Sequence, residues 1–95
     1  MTGTYIIHSE KLNRFYIGST TDMKQRLINH NTHHHGNKTF TSKASDWKIF
    51  IFIPTPNYPQ AKRMELLIKK KKSAKFIQNL KKYPELIDDL ISKTK

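Results

Sequence analysis

Residues 54–59 read Pro-Thr-Pro-Asn-Tyr-Pro, and three prolines within six positions split the chain into two halves of different character. Proline lacks a backbone N–H and fixes φ, so neither a central strand nor a helix interior runs through such a segment. Before it, Thr4 to His8 and Arg14 to Ser19 are short runs rich in β-branched and aromatic residues, separated by the polar stretch Ser9 to Asn13. That pattern predicts a β-hairpin with a loop of about five residues. Asp22 is placed to cap a helix running through Arg26 to about His30, with Met23, Leu27 and His30 on one face. Asn31 to Asp46 is polar and reads as a loop. Trp47 to Ile53 reads as a third, well-buried strand.

Beyond the prolines the periodicity becomes helical. Pro59 suits the first turn of a helix to about Lys72, with Ala61, Met64, Leu67 and Ile68 as its apolar stripe. Ser73 interrupts or caps before a third helical segment that ends near Leu80. Pro84 opens a last amphipathic segment, in which Leu86, Ile87, Leu90 and Ile91 recur at helical spacing. The expected fold is α+β and layered: a small three-stranded, mainly antiparallel sheet flanked by helices, in the order ββαβαα(α). At 95 residues there is room for one core. Residues 1–83 are expected to form the main domain, with 84–95 a helical extension packed on it.

Composition excludes several classes. There is no cysteine, so disulfides and thiolate metal sites are unavailable, and a reducing, cytoplasmic setting is expected. The N-terminus shows no secretory pattern, and the longest apolar stretch, Ile49 to Pro54, is too short to span a bilayer. Eighteen Lys and Arg against seven Asp and Glu give a formal net charge of +11. A polyanion is therefore the expected partner, since each neutralised phosphate releases counterions. Membrane-surface binding would require Trp or Phe along the apolar face of a basic helix, whereas these helices carry ordinary aliphatic positions. Nucleic acid is favoured and a membrane is not.

Four groups of residues are candidates for chemistry. Tyr5 and Tyr16 lie on the paired strands, and a suitable register would bring the two phenols together. Without it they are ordinary strand tyrosines. Gly18, two residues after Tyr16, is compatible with a close backbone approach. Arg26 and His30 are spaced i,i+4, a surface pair or a phosphate fork beside a proton-transfer group. Glu65 borders an apolar stripe, where a carboxylate must be paired or bound to metal. Lys62 and Lys69 are close enough to pair with it, and a hard cation such as Mg²⁺ is the sharper reading. Finally, Lys69 to Lys72 with Lys75, Lys81 and Lys82 form a basic run, only part of which can face one groove.

Taken in order, these residues resemble the GIY-YIG nucleases. Gly3-Thr4-Tyr5 and Tyr16-Ile17-Gly18-Ser19-Thr20 are similar to the family's paired signature, with Thr4 in place of its middle isoleucine. Asp22-Met23-Lys24-Gln25-Arg26-Leu27 resembles its arginine-bearing helix, and His30-Asn31 falls where many members place a histidine. Lys43 with Trp47-Lys48-Ile49 resembles the loop and third strand of small single-domain members. Ala61-Lys62-Arg63-Met64-Glu65 through Ile68-Lys69-Lys70 looks like the segment with the metal-binding glutamate. The resemblance spans roughly residues 3–80. The triple His33-His34-His35 is not part of it.

What the resemblance implies is a metal-dependent endonuclease acting on nucleic acid, with DNA the expected substrate. Glu65 would hold one Mg²⁺ or Mn²⁺ per site, and Arg26 would clamp the scissile phosphate. Tyr5 is favoured as the base for the attacking water, which requires a depressed pKa, with Tyr16 orienting it or the water and the opposite assignment left open, while His30 hydrogen-bonds the tyrosine or relays its proton. Lys43, Lys69, Lys70, Lys72 and Lys75 would contact phosphates. Asn79 is a further correspondence with nothing local to anchor it. The competing readings are a non-catalytic basic nucleic-acid-binding module and a nuclease subunit that needs a protein partner for specificity.

Overall fold

A computed structural model of the chain describes residues 1–32 and 43–95. Its elements run β1 (Gly3–Ser9), β2 (Arg14–Thr20), α1 (Met23–Asn31), β3 (Lys48–Pro54), α2 (Tyr58–Lys71), α3 (Ala74–Lys82) and α4 (Pro84–Thr94). The three strands form an antiparallel sheet in the order β2-β1-β3. This is the α+β arrangement that the sequence predicts, including the bracketed last helix.

β1 is the central strand, which explains why Tyr5, Ile6 and Ile7 have no exposed surface. Alternation sends successive side chains to opposite faces. Ile6 joins Ile53, Met64, Ile68, Ile77, Leu80 and Leu90 under α2, α3 and α4. Tyr5 and Ile7 join Met23, Ala44 and Trp47 on the face covered by α1. The sheet thus separates two small cores. A register shift between Ile6 and Ile7 leaves Phe50 as the extra residue on β3.

Side-chain caps set the helix starts. Asp22, Asn57 and Ser73 accept from the backbone N–H groups of Gln25, Gln60 and Phe76, which otherwise lack partners within the helix. α2 ends at Lys72 in the left-handed region, at φ 49°, so the break before α3 lies at Lys72–Ser73. Trp47 departs from expectation. It stands just before the third strand, buried, with its N–H donating to Asn31 Oδ1 at 2.8 Å and its carbonyl accepting from Asn31 Nδ2 at 3.0 Å. The Asn31 amide at the end of α1 thereby fixes where the chain re-enters the sheet, a long-range contact that periodicity does not report.

α4 packs on α2 and α3, and its last turn is tied to α2 by polar contacts. Gln60 Nε2 donates to the Ile91 carbonyl, and Arg63 Nε donates to the Thr94 carbonyl at 2.8 Å. Leu90 is 2% exposed and shares the core with Ile6 and Leu80. We propose that residues 84–95 belong to the same cooperative unit as 1–83. Leu90→Ala is expected to cost about 2–5 kcal/mol while unfolding stays a single transition. A thermal melt resolving two steps, or an unchanged midpoint, would contradict this.

Candidate active site

The site begins with a cross-strand pair. Tyr5 on β1 is opposite Gly18 on β2. A Cβ placed on Gly18 would overlap the Tyr5 Oη, Cζ and Cε2 atoms. Only a residue without a side chain lets the Tyr5 ring cross β2 at that height. Ile7 is opposite Tyr16, which puts Tyr16 two residues along β2 from Gly18 and on the same face. The register therefore does what the tyrosine pair requires, with ring centroids 6.4 Å apart.

α1 closes this face and supplies two partners to one hydroxyl. Arg26 Nε donates to Tyr5 Oη at 3.1 Å, and His30 Nε2 lies 2.8 Å from the same oxygen. Arginine can only donate, so the hydroxyl accepts from Arg26 and can give its own proton to an unprotonated Nε2. His30 is 2% exposed, which excludes the surface-pair reading of Arg26 and His30. Its ring also meets Tyr16 edge-on at 5.1 Å.

The electrostatics differ from the sequence-based expectation. Burial pushes the Tyr5 phenol up to about 12, outweighing the lowering by the Arg26 hydrogen bond and charge. A depressed value for Tyr5 is therefore not what this environment produces. Burial alone would lower Arg26, but its hydrogen bond to Tyr5 and the nearby hydroxyls of Tyr5, Tyr16 and Tyr58 raise it on balance. Its charge is secure.

Glu65 approaches from the opposite face of the sheet. Its side chain is 5% exposed. Ser19 Oγ lies 2.7 Å from its Oε1, and Lys69 Nζ lies 2.7 Å from Oε2. Lys62 stands 3.4 Å from both oxygens. Burial would raise this carboxyl, yet the Lys69 and Ser19 hydrogen bonds and the two lysine charges hold it below its ordinary value. The position of α2 that delivers Glu65 is itself pinned. Thr4 Oγ1 donates to the Ala61 carbonyl at 2.7 Å, one turn before Glu65, and Ser19 Oγ, whose single proton serves the closer Glu65 oxygen, lies 3.1 Å from the same carbonyl.

The two halves meet around the outer edge of β2, one of the two edge strands. Tyr16 and Ser19 alternate to opposite faces of that strand. Lys69 spans the edge, 2.7 Å from Glu65 and 6.0 Å from the Tyr16 ring centroid.

The remaining predicted residues are more scattered. Lys70, Lys72 and Lys75 are exposed around the α2–α3 junction, and Lys43 is exposed beside buried Ala44. Asn79 is half-buried on α3. The described partners of Glu65 are Ser19, Lys62 and Lys69, so Asn79 is not brought to the carboxylate. His33, His34 and His35 lie outside the described residues. Sequence reasoning missed Ser19 as a Glu65 partner and Thr4 as an anchor for α2. The only signal was a hydroxyl at each place in the two signature segments.

A divalent metal can be judged by donor chemistry. Among the described residues no three His, Cys, Asp or Glu side chains stand together as a cage. Glu65 offers one anionic carboxylate in a setting of hydroxyls and ammonium groups. Such a donor fits a hard cation that keeps most of its waters and takes further oxygens from a phosphate. It does not fit a metal that needs several nitrogen or sulfur ligands.

A scan against protein families matches residues 1–81 to the GIY-YIG catalytic domain. No curated protein and no solved structure matches the chain. No helix among the described residues is long and apolar enough to cross a membrane. The family match supports a nuclease-type function with a nucleic-acid substrate.

Two outcomes follow from the Tyr5 environment. Gly18→Ala is expected to cost about 1–3 kcal/mol by overpacking, and most of that cost should vanish when Tyr5 is also replaced by Ala. Additive losses in the double-mutant cycle would refute the steric account. Tyr5 also links stability to alkaline pH. The unfolded phenol ionises near 10 and the folded one at about 12, so the neutral form favours folding. Its contribution should be complete below pH 10 and lost as pH rises through 12. Denaturation midpoints across that window, compared with Tyr5→Phe, provide the check; parallel pH profiles would contradict it.

Proposed function

We propose that this chain, which belongs to the GIY-YIG catalytic-domain family, is a divalent-metal-dependent endonuclease that hydrolyses phosphodiester bonds in DNA. The observation that carries the reading is the convergence at one strand edge. A buried Tyr–His–Arg network lies on one face of β2, and an ionised, nearly buried glutamate lies on the other. A non-catalytic basic module would have no use for such an arrangement, because binding needs only the surface cations.

In this mechanism Arg26 is oriented by its Nε–H donating to Tyr5 and clamps the scissile phosphate through its terminal nitrogens. Tyr16 keeps part of its surface exposed, whereas Tyr5 has none. We therefore assign contact with the attacking water to Tyr16. Tyr5 becomes the residue that positions Arg26 and His30, reversing the division of labour that the sequence suggests. His30 Nε2 accepts the hydrogen bond of the Tyr5 hydroxyl, so Arg26 is the charged member of the network. Glu65 would hold one Mg²⁺ or Mn²⁺, which when bound offsets the negative charge developing on the phosphate and leaving oxygen. Ser19 keeps the carboxylate aimed, and Lys69 and Lys62 supply compensating charge. Lys43, Lys70, Lys72 and Lys75 attract the backbone without reading sequence. The intact lysine pairing of Glu65 also favours one further reading, a purely structural ion pair on a binding module.

Glu65→Gln separates the two. Its plasmid-nicking rate with Mg²⁺ should fall by about a hundredfold or more, while salt-sensitive DNA binding stays within about threefold of the parent. Retained nicking would remove Glu65 from the mechanism and leave the structural pair.

A further inference from the structure

Next to the Glu65 half of the site lies a cleft of about 350 Å³ between β2 and the α2–α3 junction. Phe15, Ile17, Ile68 and Ile77 form its floor, and Arg14, Lys69 and Lys72 stand among its lining cations. The floor is firmly backed, since the Phe15 ring meets His8 at 4.8 Å and Phe50 edge-on at 5.0 Å. Among the described residues neither Arg14 nor Lys72 has a carboxylate partner. Asn13 and Gln78 add amide groups at the margin.

An apolar floor under unneutralised cations calls for a ligand with a flat, weakly polar body and an anionic link. A nucleotide has that chemistry. The cleft is at the small end of ligand-sized cavities, and bases within a duplex have their faces covered by stacking, so only an unpaired base can lay a face on an apolar floor. Lys69 belongs both to the cleft and to the Glu65 ion pair, so a strand crossing Glu65 leads directly into it. Along α2 the distance from Glu65 to Lys72 is about 10 Å at 1.5 Å per residue, about three stacked nucleotides at 3.4 Å each.

We propose that this cleft takes one unpaired nucleotide about three positions from the scissile phosphate, its base on the Phe15–Ile17–Ile77 floor and its phosphate on Arg14 and Lys72. The protein then selects substrates in which the strand beside the cut is single-stranded, such as flaps, gaps or loops. The inference rests on the nuclease reading for its biological sense, but binding in the cleft does not require cleavage.

The test is binding of the full chain without divalent metal, by anisotropy of a labelled hexanucleotide and of a hairpin duplex of matching length. The parent should prefer the single strand by about tenfold, in line with the stacking of one base. An abasic position in the oligonucleotide should remove most of that preference. Ala74→Phe, at an exposed cleft-lining position, should abolish it while duplex affinity changes by less than about twofold. Should that variant fail to fold by circular dichroism, Arg14→Ala provides the second arm. It should weaken single-strand binding and lower the salt slope by about one. A parent that prefers duplex, or preferences unchanged in every folded variant, would overturn the proposal. Loss of nicking in Glu65→Gln bears only on the catalytic reading, so the two can fail separately.

Discussion

The contact between the Tyr5 ring and the bare backbone of Gly18 is the constraint on which the rest of the site depends. The ring crosses β2 because no Cβ stands in its way. Its hydroxyl then emerges where two groups one helical turn apart on α1 can reach it. Move the ring outward and the Arg26 and His30 hydrogen bonds lose their common acceptor. The shared acceptor is fully buried, so the loss would leave the Tyr5 hydroxyl short of its hydrogen bonds in a place water does not reach, which is costlier than the bonds are worth when made. A glycine with no function of its own thus fixes the orientation of an arginine eight residues away.

Glu65 illustrates a different balance. Withdrawing a carboxylate from water is expensive, and surface lysines three and four residues away return little by themselves. Here burial is offset by a short Ser19 hydrogen bond and a 2.7 Å contact to Lys69. The result is a carboxylate kept ionised but with ammonium partners that remain half-exposed, at 51% for Lys62 and 46% for Lys69. Partners on long, solvated stems can withdraw cheaply. A structural ion pair gains nothing from that mobility, whereas a site that exchanges one cation for another depends on it.

Much of this was legible in sequence. The strand periodicities, the Asp22 cap and the proline break gave the element order, because each is a local rule. The convergence of Arg26 and His30 followed from helical spacing, and the tyrosine pair needed only the right hairpin register. What stayed hidden was set by contacts distant in sequence. Thr4 reads only as a substitute for the signature's isoleucine, because its partner, the Ala61 carbonyl, lies 57 residues on. Ser19 was part of a signature, yet nothing local says that its hydroxyl meets Glu65, 46 residues later. Trp47 looked like a strand residue because the Asn31 clamp comes from the preceding helix. Burial was equally unreadable: the tyrosine favoured as base proved to be the one that solvent does not reach.

The choice of β2 as the site's backbone has a physical logic of its own. An edge strand leaves a row of unpaired backbone groups and invites another chain to pair with it. Natural proteins discourage this with charge, and here Arg14 and Lys69 stand along the open side of β2. On a chain of formal charge +11, a second copy approaching that edge meets like charge, while a phosphate backbone meets attraction. The same cations that keep the edge from pairing with protein therefore keep it open to nucleic acid. An edge is also the one place in a sheet where side chains from both faces can contact a single ligand. A central strand could hold the tyrosines or the glutamate, but its neighbours would wall one face off from the other.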